Sequence, residues 1–406
     1  MSGLDLSELL AAAEAAPPVA VVDAVGEVLA EMLGAQHESF LIADYSGESL
    51  IRLGHVAGRR FGAQRASHET AERVSLQATP QGEALSSQTV QVVEGDDGTW
   101  LFAPVTSRGE AVGILELSLS EAPTSAIVTD VARAAHALAY IIIANRRYTD
   151  LFDWGQRTVP LSLAAEIQHR LLPGSYTCEG GQFTLAAWLE PAGDVGGDTF
   201  DFSLDRDALY FSMTDAMGHT VMASLLATLL VGAVRNGRRA GAGIVEQAEL
   251  ADAALIEHAR GSQFVTGQIV RVDLEGQTAE IVNAGHPPPL RLRNGVVQEV
   301  GLEADPPFGA VDETSFRLQT LELQPGDRLM FLTDGVLERR AAAVDVRANM
   351  VASGGEHPRE AVQQLIRAAV KASGGTLEDD ATALCFDWHG GPRRDRTSDS
   401  GADTTA

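Results

Sequence analysis

The sequence has few cysteines, few aromatic residues, few basic residues and no long uninterrupted apolar run. Cys178 and Cys385 are the only two cysteines, too few for a disulfide framework, so both are expected to be core thiols of an intracellular protein. The longest apolar stretches, SLLATLLVGAV and ALAYIIIA, are shorter than the ~20 residues that span a bilayer, and the N-terminus lacks the basic start of a secretory signal. We therefore expect a cytoplasmic protein without a membrane span.

Acidic residues outnumber basic ones, with 56 Asp and Glu against 30 Lys and Arg and a net charge of −26. A non-specific nucleic-acid binder needs a cationic face for phosphates, so we expect no nucleic-acid partner. The hydrophobic share of 45% is typical of a globular protein, and 406 residues are enough for two or three domains.

Residues 17–125 combine a helix-like run with several strand-like runs, which predicts a small α+β sheet domain. The segment around Arg108 and Gly109 predicts a hairpin, because glycine supplies the positive φ of a tight turn. The run LFAPVTSRGEAVGILEL, followed by a helix, resembles the last two strands of a GAF domain, an intracellular sensor fold. The resemblance implies either a sensor of a small-molecule ligand or a structural, dimerising domain, and no motif identifies a ligand.

Residues 126–172 are predicted to be a helical linker, and residues 1–16 a separate N-terminal segment. Apolar residues recur every three or four positions along a helix, at Ile127, Val131, Ala134, Leu138, Ile141, Tyr148 and Leu151. This stripe either pairs with its twin in a homodimer, which we expect, or packs on the preceding domain. After a break at Pro160, the run LSLAAEIQHRLL predicts another helix.

Residues 173–388 alternate groups of strand-like runs with three amphipathic helices, a pattern that favours a layered α/β sandwich over an alternating parallel sheet. The helices are predicted in TVMASLLATLLVGAVRNG, IVEQAELADAALIEHAR and PREAVQQLIRAAVKASG. The run from Asn283 to Pro289 is predicted to be a hairpin turn, because consecutive prolines fix the backbone. Residues 389–406 are almost free of apolar side chains and are predicted to be a disordered tail.

Aspartates followed by turn residues lie at the ends of predicted strands. They occur in GGD at Asp198, TDAMGH at Asp215, TDG at Asp334 and EDDAT at Asp379 and Asp380. Taken singly, each aspartate is a common turn residue. If they converged in space, their mutual repulsion would require cations, and oxygen ligands favour magnesium or manganese over zinc.

The order of five motifs resembles the SpoIIE/RsbU-like protein phosphatases, the bacterial branch of the metal-dependent PPM family. The motifs are GGDxFD, DxxGH before an apolar helix, NAGHPPPLRLRNG, PGDRLMFLTDGVLE and DDAT, and AAEIQHRLLPG resembles the opening helix of these enzymes. The resemblance implies an N-terminal GAF-like domain, a helical linker and a C-terminal PPM-type α/β/β/α sandwich. It also implies hydrolysis of phosphoserine or phosphothreonine on a protein, with two manganese or magnesium ions.

The resemblance also implies a role for each matching residue. Asp215 would bridge the two ions, and the carbonyl of Ala216 would complete one ion's shell. Asp198 would bind metal directly or through water, while Asp334 and Asp379 would hold the second ion. Asp215 and Asp334 are the expected catalytic residues. Three further residues are expected to contact the metal ligands rather than the ions: Asp380, Gly218 and His219. Asp380 would orient Asp379 or a metal-bound water.

Two details depart from the family pattern. Thr220 replaces a glycine in the DxxGH motif, and the Phe-Gly segment usual after TDGVLE is absent. His219 and His286 are either general acids or residues that hold turns by hydrogen bonds.

The resemblance further implies a separate phosphorylated protein substrate, a STAS-type anti-sigma-factor antagonist. The alternative is a catalytically silent scaffold that binds a partner through a phosphatase-like domain.

Overall fold

The computed structural model describes most of the chain, namely residues 4–45, 47–55, 63–64, 69–95, 98–157, 161–192, 196–218, 221–259, 263–312, 314–337, 343–375 and 377–392. Pro160 and residues 393–406 of the predicted tail lie outside this set. The described residues fall into two compact units, one ending at residue 157 and the other beginning at residue 161. The predicted linker, residues 126–172, includes elements of both units, and its ends remain predictions.

The N-terminal unit is an antiparallel sheet with helices on both faces. Its helices are α1 (Leu6–Ala15), α2 (Val21–Leu33), α3 (Pro80–Ser87), α4 (Ser125–Asn145) and α5 (Leu151–Gln156). Its strands are β1 (Ala35–Ala43), β2 (Ser49–His55), β3 (Ala63–Gln64), β4 (Glu69–Ser75), β5 (Gln91–Gly95), β6 (Gly98–Ser107) and β7 (Glu110–Leu119). Within the described residues the strand order is β3-β4-β2-β1-β7-β6-β5.

Alternation along the strands separates the two faces of this sheet. Phe40 and Ile42 face a core shared with α1, α2 and α4, whereas Leu41 faces a smaller cluster with α3. The predicted hairpin is confirmed: β6 pairs with β7, and Arg108 and Gly109 have positive φ at its turn. In the described part of the predicted N-terminal segment, residues 4–16, helix α1 packs Leu9 and Ala13 into the same core.

Helix α4 buries its apolar stripe in this unit. Val131, Ala134, Leu138 and Ile141 lie in the core, and Ile127 packs against it. The stripe therefore packs on the sheet rather than remaining free to pair with a second copy, and a homodimer stays a prediction. In the described part of the chain, the stretch Ser125–Tyr148 is long and apolar enough to cross a membrane by length and composition alone. Seven buried residues of α4 identify it as a core helix of this unit.

The C-terminal unit has two antiparallel sheets between helical layers. The first sheet contains β10 (Asp198–Leu204), β11 (Ala208–Ala216), β12 (Val265–Asp273), β13 (Thr278–Ala284) and β16 (Gln319–Glu322), in that order. The second has the order β15-β14-β17-β18-β9-β8, with β8 (Thr177–Glu179), β9 (Phe183–Glu190), β14 (Leu290–Arg293), β15 (Val296–Glu299), β17 (Asp327–Leu332) and β18 (Ala381–Trp388). The helices are α6 (Leu163–Leu171), α7 (Val221–Arg239), α8 (Ile244–Ala259), α9 (Asp334–Leu337), α10 (Val346–Ala352) and α11 (Pro358–Ala372).

Strand alternation again assigns side chains to layers. Phe331 and Phe386 enter the core between the sheets, while Met330 and Cys385 face α10 and α11. Helices α7 and α8 cover the other sheet. The three predicted helices and the α/β/β/α sandwich are therefore confirmed, and both cysteines are buried.

The hairpin predicted from Asn283 to Pro289 is wrong. Strand β13, before this run, belongs to the first sheet, and β14, after it, belongs to the second. The run therefore carries the chain from one sheet to the other.

Candidate metal centre

Asp198 and Asp215 lie opposite each other at one end of the β10–β11 hairpin. Two glycines allow the chain to pass closely here: a Cβ at Gly197 would lie 2.7 Å from the Ala216 carbonyl oxygen, and one at Gly196 would lie 2.9 Å from the backbone of Ala164. A larger residue at either glycine of the GGD motif would therefore clash with the backbone, so the two glycines allow Asp198 to take this position.

Asp198 is tied to the second sheet by two hydroxyl groups. Its Oδ2 accepts hydrogen bonds from Thr333 Oγ1 at 2.7 Å and from Thr382 Oγ1 at 2.6 Å. Asp198 is 3% exposed, and both threonines are fully buried. These bonds join the ends of β17 and β18 to the start of β10.

Asp334 and Asp379 come from the second sheet and are half-buried. Asp334 begins α9 just after β17, and Asp379 precedes β18. A Cβ at Gly335 would lie 1.9 Å from the carbonyl oxygen of Asp380, so the glycine of the TDG motif permits this close approach. As predicted, the aspartates lie at strand ends.

The raised pKa values of Asp198 and Asp215 reflect both their burial and the proximity of the other carboxylates. Burial, and then the charges of Asp334, Asp379 and Asp380, raises the pKa of Asp215 to about 7. Burial, followed by Asp215 and Asp380, raises the pKa of Asp198 well above its usual range. The strongest influences on these two pKa values are burial, the neighbouring carboxylates and hydrogen bonds to the carboxyl groups.

Asp380 holds the surrounding loop rather than facing outward. Its oxygens accept hydrogen bonds from the backbone of Ala192 at 2.9 Å and of Gly197 at 3.0 Å, and from Gln168 Nε2 at 2.6 Å. The Asp380 backbone N–H donates to Asp379 Oδ1 at 3.0 Å. Burial raises the pKa of Asp380 against the opposing effect of these bonds.

Gln168 is a site residue that the sequence interpretation missed. It lies on α6, is 1% exposed, and also donates from Nε2 to the carbonyl of Asp198 at 2.7 Å. Its spacing from Ala164 and Ala165, both buried, places it on the inner face of α6. A polar residue on the buried face of a helix is the signal that could have identified it.

The remaining predicted residues have varied surroundings. Ala216 ends β11 and is buried, and Gly218 is exposed with a φ of +100°. His219 and Thr220 lie outside the described residues, as do residues 338–342 of the loop after TDGVLE. His286 is 3% exposed, and its Nδ1 lies 3.0 Å from Thr266 Oγ1, while burial lowers its pKa to about 4.

The donor set has the chemistry of a divalent-cation site. Among the described residues, no group of three or more His, Cys, Asp or Glu side chains is already arranged to hold a metal ion. The clustered carboxylates nevertheless supply the oxygen donors that magnesium and manganese prefer. Asp198, Asp215, Asp334 and Asp379 would hold such ions.

The family model described as Stage II sporulation protein E (SpoIIE) matches residues 205–389, a range that includes Asp215, Asp334 and Asp379 and begins after Asp198. Phosphoserine phosphatase RsbP of Bacillus subtilis is 25% identical over 189 residues, which are 45% of this chain and 46% of RsbP. The chain spans less than half the length of the curated relatives it matches.

Solved structures show more distant likenesses. The RsbU and RsbW domains of Rv1364c from Mycobacterium tuberculosis have a TM-score of 0.48 and 24% identity, covering 52% of this chain and 62% of that one. The catalytic domain of serine/threonine phosphatase PstP, solved with two manganese ions, has a TM-score of 0.41 and 15% identity, covering 50% of this chain and 97% of that one. These likenesses are too remote to carry residue roles across. On the family match, the C-terminal half of this chain is a SpoIIE-type phosphatase domain, homologous to RsbP.

Proposed function

We propose that the protein is a metal-dependent phosphatase that hydrolyses phosphoserine or phosphothreonine on a separate protein. The observation that carries the proposal is the crowding of carboxylates from both sheets, which raises the pKa of Asp215 to about 7. Buried like charges of this kind are stabilised by cations between them. The oxygen-only donor set favours magnesium or manganese.

Bound divalent ions would lower the pKa of a water molecule and screen the phosphoryl oxygens during in-line attack. The chain's own part is to position the donors. Thr333 and Thr382 fix one oxygen of Asp198, which lies directly opposite Asp215 in the β10–β11 pair. Asp334 and Asp379 are half-buried, so this side of the site is open to a substrate.

The substrate and the regulation are proposed from the family resemblance. RsbP is a phosphoserine phosphatase, and the substrate proposed here is a phosphorylated STAS-type antagonist of an anti-sigma factor. The N-terminal unit is proposed to be a GAF sensor, and its antiparallel sheet with helices on both faces is compatible with that role.

Helix α6 offers a route from a sensor to the metal centre. It is the first helix of the C-terminal unit, and its Gln168 bonds to both Asp380 and the carbonyl of Asp198. We propose that a signal reaching α6 moves Gln168 and thereby assembles or disorders the ligands.

The test is hydrolysis of para-nitrophenyl phosphate by the full chain, with and without manganese. We expect metal-dependent hydrolysis that falls at least about 100-fold in Asp215→Ala, because the central ligand is lost. Asp205→Ala is the matched control, since Asp205 is exposed at the opposite end of the same hairpin. This variant should hydrolyse para-nitrophenyl phosphate at the wild-type rate.

Equal activity in wild type and Asp215→Ala, or hydrolysis that ignores manganese, would overturn the proposed chemistry. If the wild-type protein hydrolyses no substrate even with manganese, the result would favour the catalytically silent scaffold instead.

A further inference from the structure

Asp198, Asp215 and Thr266 lie side by side in a row across three neighbouring strands of the first sheet, β10, β11 and β12. Asp215 lies opposite Thr266 in the β11–β12 pair, as Asp198 lies opposite Asp215 in the β10–β11 pair. Directly opposed residues of antiparallel strands project from the same face, and neighbouring strands are about 4.8 Å apart. Thr266 therefore lies beside Asp215, on the side away from Asp198.

The two ends of this row differ in exposure. Asp198 is buried, and its Oδ2 is engaged by the hydroxyls of Thr333 and Thr382. Thr266 is half-buried, so its side chain reaches solvent. The row is therefore buried at its Asp198 end and partly exposed at its Thr266 end.

His286 holds the Thr266 hydroxyl in place. The ring is 3% exposed, and its Nδ1 lies 3.0 Å from Thr266 Oγ1. The His286 backbone N–H donates to Asn283 Oδ1 at 3.0 Å, and Gln268 Nε2 donates to the carbonyl of Pro287 at 2.9 Å. The Gln268 bond ties the NAGHP run to β12, and the burial of the His286 ring leaves it little room to move away from Thr266.

One direction of the Thr266 hydroxyl remains available. When His286 Nδ1 carries the ring proton, it donates to Thr266 Oγ1, and the single hydroxyl hydrogen of Thr266 stays available to donate to a phosphoryl oxygen; this is the tautomer that the role of Thr266 requires. Burial lowers the pKa of His286 to about 4, so the ring adds no charge to this support at neutral pH. A neutral, partly exposed hydroxyl thus lies directly beside Asp215 on the same face of the sheet.

We propose that Thr266 is a phosphoryl-binding group of the active site and that His286 is the positioning residue that orients its hydroxyl. This inference rests on the proposed phosphatase function. It gives a role to the NAGHP run, which the metal ligands leave unexplained. It also supplies a hydrogen bond from the chain itself to a phosphoryl oxygen that would otherwise meet only metal ions and carboxylates.

The test uses the full chain loaded with manganese and inorganic phosphate as the probe. Calorimetry would give the phosphate affinity, and para-nitrophenyl phosphate would give KM and kcat separately. We expect Thr266→Val to weaken phosphate binding and raise KM about tenfold, the loss of one hydrogen bond to a charged group. Thr266→Ser keeps the hydroxyl and should stay within about twofold of wild type. Thr266→Ser should keep the wild-type melting temperature, whereas Thr266→Val leaves the buried His286 Nδ1 without this partner and should melt at a lower temperature.

Thr278→Val is the matched control, because Thr278 lies at the far end of β13 from this site. This variant should bind phosphate with the wild-type affinity. His286→Asn places a polar atom near the position of Nδ1 and should retain most of the affinity, whereas His286→Leu should lose it. In a Thr266→Val background, His286→Leu should weaken phosphate binding no further, because His286 acts through Thr266.

Phosphate binding by Thr266→Val at wild-type strength, in a protein whose wild type shows manganese-dependent hydrolysis, would overturn this inference and leave the phosphatase function standing. An additive loss in the double variant would overturn the role of His286. Wild type without manganese-dependent hydrolysis would overturn both the inference and the function.

Discussion

At the scale of single residues, the site is defined by carboxylates that the fold brings close together. Asp215 is half-buried in a cluster of aspartates, and burial, followed by the charges of its neighbours, raises its pKa to about 7 from 3.8. Asp198 shares this environment and has hydroxyl partners instead of a cation. The fold therefore loses stability to assemble these groups, as expected where function rather than stability selects the residues.

This arrangement predicts how the stability of the metal-free protein depends on pH. The folded state holds a proton on Asp215 up to a higher pH than the unfolded state, so the free energy of unfolding should fall as pH rises from about 4 to about 7. The slope for one such proton is up to about 1.4 kcal/mol per pH unit. Urea denaturation in EDTA at pH 5 and pH 8 measures it.

Asp215→Asn is the matched variant, because it keeps the shape and removes the titration. Its free energy of unfolding should depend less on pH and exceed that of wild type at pH 8. A wild type that becomes more stable between pH 5 and pH 7 without metal would contradict this account of the cluster.

At the scale of elements, the site depends on contacts between segments that are distant in the sequence. Helix α6 reaches the cluster through Gln168, whose partner Asp380 is 212 positions away. The strand ends were predictable, because Asp334 and Asp379 flank apolar runs. The pairing of Gln168 with Asp380 was not, because no local pattern specifies which buried polar groups meet across a fold.

The Gln168 contacts predict that α6 controls the geometry of the metal ligands. Gln168→Leu keeps the size of the side chain and removes both hydrogen bonds, leaving Asp380 without one donor. We expect manganese-dependent hydrolysis to fall about tenfold or more, since hydrogen bonds to charged groups contribute about 1.5–3 kcal/mol. A phosphatase assay over a range of manganese concentrations measures this.

Arg170→Ala is the control on the same helix, because Arg170 is exposed and contacts Glu166 on its own helix. It should hydrolyse like wild type. Gln168→Leu with wild-type activity at every manganese concentration would show that α6 does not position the ligands.

At the scale of the whole molecule, the sequence predicted the layers of the C-terminal unit better than the connections between its strands. Groups of strand-like runs, such as those that form β17 and β18, with amphipathic helices between them were enough to indicate a sandwich. The NAGHPPP run was predicted to turn back within one sheet, yet it crosses to the other, because a rigid turn does not specify which strand follows it. The net charge of −26 also opposes the binding of a phosphorylated substrate, so cations at the aspartates would be needed to attract one.

The most direct test of the central claim is calorimetric titration of the full chain with manganese. The carboxylate cluster is predicted to bind two ions per chain, and Asp215→Asn should abolish or strongly weaken their binding, because Asp215 is the ligand proposed to hold both. Failure of wild type to bind manganese, or binding that is identical in Asp215→Asn, would contradict the assignment of these aspartates as a metal centre.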